Sequence, residues 1–326
     1  MMEQAIRDFP KQFSYEPVVE NAGVLKKHDA FIVAGMGGSH LASGLLGMNR
    51  AALALYIHRD YGLPPMSDIE LRRRLFIASS YSGNTEEVID AITKAVAKGL
   101  NVAAVSVGGE LLEFARRHEA PYVQMPDTGI QPRMALGFSL RAQMKLMGDE
   151  AGLSKTAVLA QTLKTAACER RGREIAETLD GKVPVIYASA QNQPLAYNWK
   201  IKFNETGKIP AFYNVFPELN HNEMTGFDAL DKNCALSERF SFIFLRDDAD
   251  HPRIQKRMDI TKKLYEERGF SVTILQLDGE GMWERIFVSL LTADWAALFT
   301  AQQYGAESEQ VPMVEEFKRL LKKTKS

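Results

Sequence analysis

The chain has 326 residues, 45% of them hydrophobic and 25% charged, with a formal net charge of −1. That length admits about two domains of ordinary size, and the composition is that of a soluble globular protein. The near-neutral balance gives no electrostatic case for nucleic acid or membrane binding, no apolar run is long enough to span a membrane, and Cys168 and Cys234 are too far apart for a CxxC motif or a disulfide framework. Two reduced thiols, and an acid-containing N-terminus without an apolar signal core, point to a cytoplasmic protein that is not exported.

In chain order, the residues before Ala30 predict a leading helix over Met2 to Asp8 and a second around Val18 to Lys27. Phe31-Ile32-Val33-Ala34 reads as a buried strand, and the unit it opens closes near Met48-Asn49-Arg50. Leu53 to Ile57 is the next strand. Leu75-Phe76-Ile77-Ala78 follows, with an amphipathic helix from Val88 to Val96. Val102 to Ser106, a short helix from Leu111 to His118, and Tyr122 to Met125 complete the first half. Arg133 begins an apolar helical run to about Met147, and Lys155 to Ala176 reads as one polar-faced helix. Val183 to Ala188, Phe240 to Leu245 and Val272 to Leu277 are the strands of the second half, with helices over Arg253 to Glu267, Gly281 to Gln303 and Val311 to Lys323. Strands alternating with helices predict parallel sheets covered on both faces, in two similar α/β halves. The boundary falls between Gly152 and Gly181, giving an N-terminal domain of residues 1–152 and a C-terminal domain of residues 153–326.

Ligands of such sheets sit at the carboxyl ends of the strands, and two loops of unusual composition fall there. Gly35-Met36-Gly37-Gly38-Ser39 follows the first strand. Its glycines allow close backbone approach, and Ser39 offers a hydroxyl at a helix start. By spacing alone it also fits a dinucleotide fingerprint, with Asp60 loosely in place of the ribose-binding acid. Ser79-Ser80-Tyr81-Ser82-Gly83-Asn84-Thr85 follows a later strand. It gathers hydroxyls and free N–H groups where a phosphate monoester could bind; it also reads as a plain helix start capped by Asn84 or Thr85.

In the second half, Glu205 lies in the last turn of a helix, where the macrodipole disfavours an anion. It reads either as a solvated residue paired with Lys202 or Lys208, or as a pocketed carboxylate that moves a proton from carbon. His221, between Asn220 and Asn222, lacks the second ligand of a helical zinc site and reads as a general acid/base or as a surface histidine.

The Gly-Gly-Ser and Ser-Tyr-Ser-Gly-Asn-Thr loops together resemble the sugar isomerase (SIS) domain family, which binds phosphosugars. Asn204-Glu205 with Lys208, Pro217-Glu218-Leu219-Asn220-His221-Asn222, Pro132-Arg133, and Val314-Glu315-Glu316-Phe317-Lys318 narrow the resemblance to the bifunctional phosphoglucose/phosphomannose isomerases. The motifs span nearly the whole chain in the family's order. Thr206, His40 and Ala306-Glu307 depart from its pattern, and they bear on substrate preference more than on the reaction.

The resemblance implies two SIS-type subdomains, each doubly wound and flavodoxin-like, and an aldose–ketose isomerase acting on a hexose 6-phosphate through a cis-enediol(ate). Gly38, Ser39, Ser80, Ser82 and Thr85 then hold the phosphate, and His221 and Lys318 open the ring. Glu205 moves the proton between C2 and C1, and Arg133 stabilises the developing negative charge. No metal and no cofactor is implied. The implied assembly is a homodimer with active sites at the interface, to which His221 of one copy contributes across the boundary. A non-catalytic phosphosugar-binding regulator is the alternative.

Overall fold

The computed structural model describes residues 2–48, 54–228 and 232–323. Three positions named above, Asn49, Arg50 and Leu53, lie outside the described residues. By its internal contacts the chain divides into two compact units, one of Arg7–Leu163 with Gly281–Ile286, the other of Lys164–Glu280 with the residues before Arg7 and from Phe287 onward.

The chain opens with α1 (Met2–Asp8) and a 3₁₀ turn at Phe9–Ser14. The first unit then alternates β1 (Ala30–Ala34), α2 (Gly38–Gly47), β2 (Ala54–His58), α3 (Asp68–Arg72), β3 (Leu75–Ser79), α4 (Glu86–Ala97), β4 (Val102–Ser106), α5 (Gly109–Arg117) and β5 (Tyr122–Gln124). Helices α6 (Leu136–Met147), α7 (Glu150–Ala157) and α8 (Leu159–Thr162) follow. The strands form one sheet in the order β2-β1-β3-β4-β5, every pair parallel. Every residue of β1 and β3 is buried, as expected of central strands covered on both faces, whereas the edge strand β2 is exposed or half-buried until His58.

Three expectations for this half need correction. No α-helix spans Val18 to Lys27: apart from a 3₁₀ turn at Ala22–Val24, the segment runs extended beside β5, where the N–H and C=O of Glu20 bond Tyr122. Pro17 and Gly23 disfavour a helix there, and Val18 and Val24 are exposed, so no apolar face would be buried. The helix expected from Arg133 begins at Leu136, after a 3₁₀ turn at Pro132–Met134. The buried carboxamide of Gln12 sets that start, donating to the Met134 carbonyl (2.7 Å) and accepting from the N–H of Gly137 (2.9 Å) and Phe138 (3.3 Å). Lys155 to Ala176 is not one helix but parts of three. Asp149 caps the first by accepting from the Gly152 N–H at 2.8 Å, and the chain turns extended at Leu163, whose side chain is buried with that of Leu159.

The second unit carries α9 (Thr165–Thr178), β6 (Val183–Ser189), α10 (Gln193–Lys202), β7 (Phe212–Phe216), β8 (Phe240–Arg246), α11 (Pro252–Glu266), β9 (Ser271–Gln276), α12 (Met282–Gln303, whose first residues count with the first unit) and α13 (Pro312–Lys323). Its sheet, β7-β6-β8-β9, is again wholly parallel, so both halves are parallel-sheet α/β structures. Strand β7, a short aromatic run, is an addition to the sequence reading. One face of the sheet buries Tyr187, Phe216, Phe242, Phe244 and Tyr265 as a single ring cluster.

Helices α10 and α12 are joined by a buried ion pair, Lys202 Nζ to Asp294 Oδ1 at 2.5 Å, and by the Trp199 indole donating to Ser289 Oγ at 2.9 Å. Removing one partner of a buried pair strands the other charge. Lys202→Met is therefore expected to lower the free energy of urea unfolding by ~3–5 kcal/mol, and Lys202→Met with Asp294→Leu to recover most of that loss.

Candidate active site

In the first sheet the chain passes from β1 to β2 on one side and returns to β3 on the other, so the crevice between β1 and β3 is the topological switch point at which ligands of such sheets bind. Both loops singled out in the sequence emerge there. Gly35 ends β1 under a tight ceiling: a Cβ on it would lie 3.0 Å from the Ser79 carbonyl oxygen. Gly37 takes φ +49°, and α2 starts at Gly38, where a Cβ would stand 2.8 Å from Pro132 C and 2.9 Å from Arg133 N. Only a glycine lets the start of α2 abut the turn that carries Arg133, whose side chain is fully buried.

Hydroxyls stitch the two loops together. Ser39 Oγ accepts from the Tyr81 N–H at 2.8 Å, and Ser79 Oγ donates to the Ser39 carbonyl at 3.3 Å. Ser80 Oγ lies 2.8 Å from Thr85 Oγ1 and accepts from the Gly83 N–H at 3.1 Å. Thr85 occupies the N-cap of α4, yet its side chain makes no capping bond, being turned to Ser80 instead. Ser82 is exposed, its Oγ accepting from the Asn84 N–H at 3.3 Å. The loop is backed by the next one: Gly83 has φ +75°, and a Cβ there would fall 1.9 Å from the Gly108 carbonyl oxygen. Ser39, Ser80 and Thr85 thus gather hydroxyls at the starts of α2 and α4, with Ser82 exposed beside them and the Arg133 backbone packed on Gly38; N–H and O–H groups at helix starts suit an anion. His40, also in the first turn of α2, is buried; burial, assisted by the Arg59 charge and opposed by the Gly37 backbone, pushes its pKa down to about 4 and leaves the ring neutral.

The second sheet repeats the topology and fills its own switch point. Between β6 and β8, Asn192 Nδ2 donates to Ser189 Oγ (3.1 Å) and to Asp250 Oδ1 (3.3 Å). Asp250 is only 7% exposed, and its Oδ2 has no hydrogen-bonding partner among the described residues. Burial, with the nearby Asp247 charge as a smaller cause, pushes its pKa up. The protein's own carboxylate occupies this crevice.

The remaining candidates lie elsewhere in the second unit. Beyond Lys202 the helix widens into a π turn, Phe203–Gly207, that holds Glu205 half-buried; such widened turns recur at functional sites. The turn ends at Lys208 in the left-handed region (φ +59°), and Lys208 Nζ donates to the Gln310 carbonyl ahead of α13. Glu307 shapes the same segment, accepting from the N–H groups of Glu309 and Gln310, each at 2.7 Å. His221 ends a 3₁₀ turn, Glu218–His221, and is exposed. Lys318 is exposed on α13 and paired with Glu315 at 2.8 Å. Among the described residues no three His, Cys, Asp or Glu side chains gather so as to hold a metal ion.

Sequence reasoning missed Gln12, the Lys202–Asp294 pair and the tethers of the His221 loop. A signal existed for Lys202, which falls on the same helical face as Leu195 and Trp199, where a core position is expected.

Comparison with known proteins gives a coherent set of relatives. The model of the bacterial phospho-glucose isomerase C-terminal SIS domain matches residues 169–321. The bifunctional phosphoglucose/phosphomannose isomerase of Aquifex aeolicus (strain VF5) is 31% identical over 324 residues, covering 98% of each chain. That of Caldicellulosiruptor bescii is 32% identical over 347 residues, covering 99% of this chain and 100% of the relative. Among solved structures, the C-terminal domain of glucosamine-fructose-6-phosphate aminotransferase from Francisella tularensis matches with a TM-score of 0.67 at 14% identity, covering 95% of this chain and 98% of that one. The structural likeness establishes the fold: two SIS-type halves.

The buried Asp250 carboxyl has a testable signature. With its pKa raised in the folded state, the folded protein holds that proton more tightly than the unfolded chain, and the stability this confers is lost as pH rises through the folded pKa. Asp250→Asn removes that loss. The difference in thermal midpoint, variant minus wild type, is expected to grow from about pH 4, the ordinary aspartate range, towards about pH 7; a constant difference refutes the assignment.

Proposed function

The chain belongs to the bifunctional phosphoglucose/phosphomannose isomerase family, and on that premise we propose that it is an aldose–ketose isomerase converting glucose 6-phosphate and mannose 6-phosphate to fructose 6-phosphate and back. The observation that carries the reading is the stitched pair of loops at the β1/β3 switch point, where Ser39, Ser80, Ser82 and Thr85 gather hydroxyls at helix starts. In this reading they, with the backbone at Gly38, hold the 6-phosphate.

Ring opening moves a proton from the C1 hydroxyl to the ring oxygen, the work assigned to His221 and Lys318. Glu205 then takes the C2 proton and returns it to C1, while the proton of the C2 hydroxyl passes to the C1 oxygen, so that the aldehyde becomes a hydroxyl and C2 the ketone. The open-chain carbonyl already acidifies that C–H bond, so the chemistry needs no metal or redox cofactor. The electron pair released at C2 passes into the enediolate oxygens, and the Arg133 guanidinium neutralises their charge, as donors of an oxyanion hole do. A half-buried carboxylate on a widened helical turn suits the base: it is partly desolvated, and it is held by backbone rather than by a mobile loop.

The assembly proposed is a homodimer. Met313, Val314, Phe317, Leu320 and Leu321 give α13 an exposed apolar stripe at helical spacing, with Phe317 at 62% exposure, and His221 faces solvent in the single chain. No helix among the described residues is long and apolar enough to cross a membrane, and the free thiols of Cys168 and Cys234 support a cytoplasmic location.

Glu205→Gln is expected to lower kcat on both aldose phosphates ~10²- to 10⁴-fold with KM little changed, the range lost with a general base. The wild type is expected to keep its rate in EDTA. Phosphosugar binding without turnover in the wild type would replace the enzyme with a sensor. Separately, Phe317→Asp with Leu321→Asp is expected to give a monomer by light scattering and to abolish isomerisation; a dimeric, fully active variant refutes the proposed role of α13.

A further inference from the structure

Around His221 nearly every side chain is fastened. Leu219 is fully buried. Asn220 donates to Thr261 Oγ1 at 2.9 Å and accepts from Arg257 Nη1 at 3.2 Å, both on α11. Asn222 donates to Glu218 Oε1 at 2.7 Å, and its Oδ1 accepts from the Glu223 N–H at 2.6 Å. Glu223 then reaches back to the sheet: its Oε1 accepts from the Tyr187 hydroxyl and its Oε2 from Asn214 Nδ2.

Those two donors are register partners, Tyr187 on β6 opposite Asn214 on β7. Each carboxylate oxygen of Glu223 is therefore committed to a different strand, which fixes both the position and the rotation of the group. The anchor is itself rigid. Tyr187 is wholly buried, with its ring against Phe216, Phe242 and Phe244, and burial pushes its pKa far up, so the hydroxyl keeps its proton and remains a donor. His221, two residues before Glu223, is exposed, as are its neighbours Glu218 and Asn222, which bond each other. A polar, exposed run would otherwise sample many backbone states, and a general acid/base works only when its proton lies within hydrogen-bonding reach of the reacting oxygen.

We infer that Glu223, clamped between Tyr187 of β6 and Asn214 of β7, is the positioning residue of His221 and sets the rate of ring opening without touching substrate. The inference rests on the reading of His221 as a ring-opening group, and the test separates the two. In Glu205→Gln protein, proton transfer at carbon is blocked, so exchange between the α and β anomers of glucose 6-phosphate, followed by two-dimensional exchange NMR, reports ring opening alone. Adding Glu223→Gln is expected to slow catalysed anomer exchange at saturating substrate ~10- to 100-fold, the loss typical of a displaced catalytic group. Substrate affinity, by titration calorimetry, should be unchanged, a split that general damage to the fold would not produce. Tyr187→Phe keeps the ring in its cluster and removes one donor; it is expected to act in the same direction but more weakly, and it carries the test if Glu223→Gln does not fold. Unchanged anomer exchange in a folded variant overturns the role of Glu223. If Glu205→Gln with His221→Ala exchanges anomers as fast as Glu205→Gln alone, the reading of His221 falls, and this inference with it.

Discussion

In a parallel sheet of order β2-β1-β3-β4-β5, the connections leaving β1 and β3 go to opposite sides, and the crevice between them is open at the carboxyl ends. The loops that emerge there must pass within contact of each other, and the sequence answers with residues that have little or no side chain. Gly35 clears the Ser79 carbonyl, Gly38 clears the Pro132–Arg133 turn, and Gly83 clears Gly108. Backbone and hydroxyls are what remain at the crevice. The flanking strands are apolar up to Ala34 and Ala78, so the polar groups collect at the carboxyl end, beginning with Ser79. In the proposed function, anion reception follows from this topology combined with small residues.

The second half uses the same winding for a different end. Its switch point is closed by Asp250, bonded through Asn192 to Ser189. Two of its functional candidates, Glu205 and His221, instead lie where regular structure is interrupted. Helix α10 is pinned to α12 at Lys202 by an ion pair with almost no access to water, and the helical register widens immediately after it. Gly207 passes close to the backbone of α12, with a would-be Cβ 3.4 Å from the Ala297 carbonyl oxygen, while Glu205 is left half-buried. The pin and the widened turn together decide how far the carboxylate projects.

Legibility in the sequence followed the range of the interaction. Phe31 to Ala34 and Leu75 to Ala78 declare strands because burial on both faces demands unbroken apolar runs, and Phe240 to Leu245 does so with only Ser241 interrupting it. The hydroxyls and glycines at the strand ends are equally local signals, although alone they also fit a plain capped helix start. The misreadings are cases in which a distant group decided the matter. Val18 to Lys27 has enough apolar residues for a helix, yet its backbone is claimed by Tyr122 of β5. The start of α6 is fixed by Gln12, 125 residues before Gly137, which no local pattern announces. The same holds for Glu223: its acid identity is visible beside His221, but its two partners are visible only once β6 and β7 lie side by side.

In the proposed mechanism the tethered His221 loop and the exposed α13 are two sides of one physical requirement. Proton transfer to a ring oxygen gains from exclusion of water, because electrostatic interactions strengthen as the local dielectric falls. A histidine in solvent lacks that advantage, however well it is oriented. The loop's tethers supply orientation without cover, and the exposed apolar stripe of α13 supplies material for cover. Burying such a stripe against a second copy yields roughly 25 cal/mol for each Å² of apolar surface removed from water. The same contact can dry the surface around the reacting groups. In that proposal association is part of the chemistry, because the free energy that drives it comes from closing the site around the exposed His221.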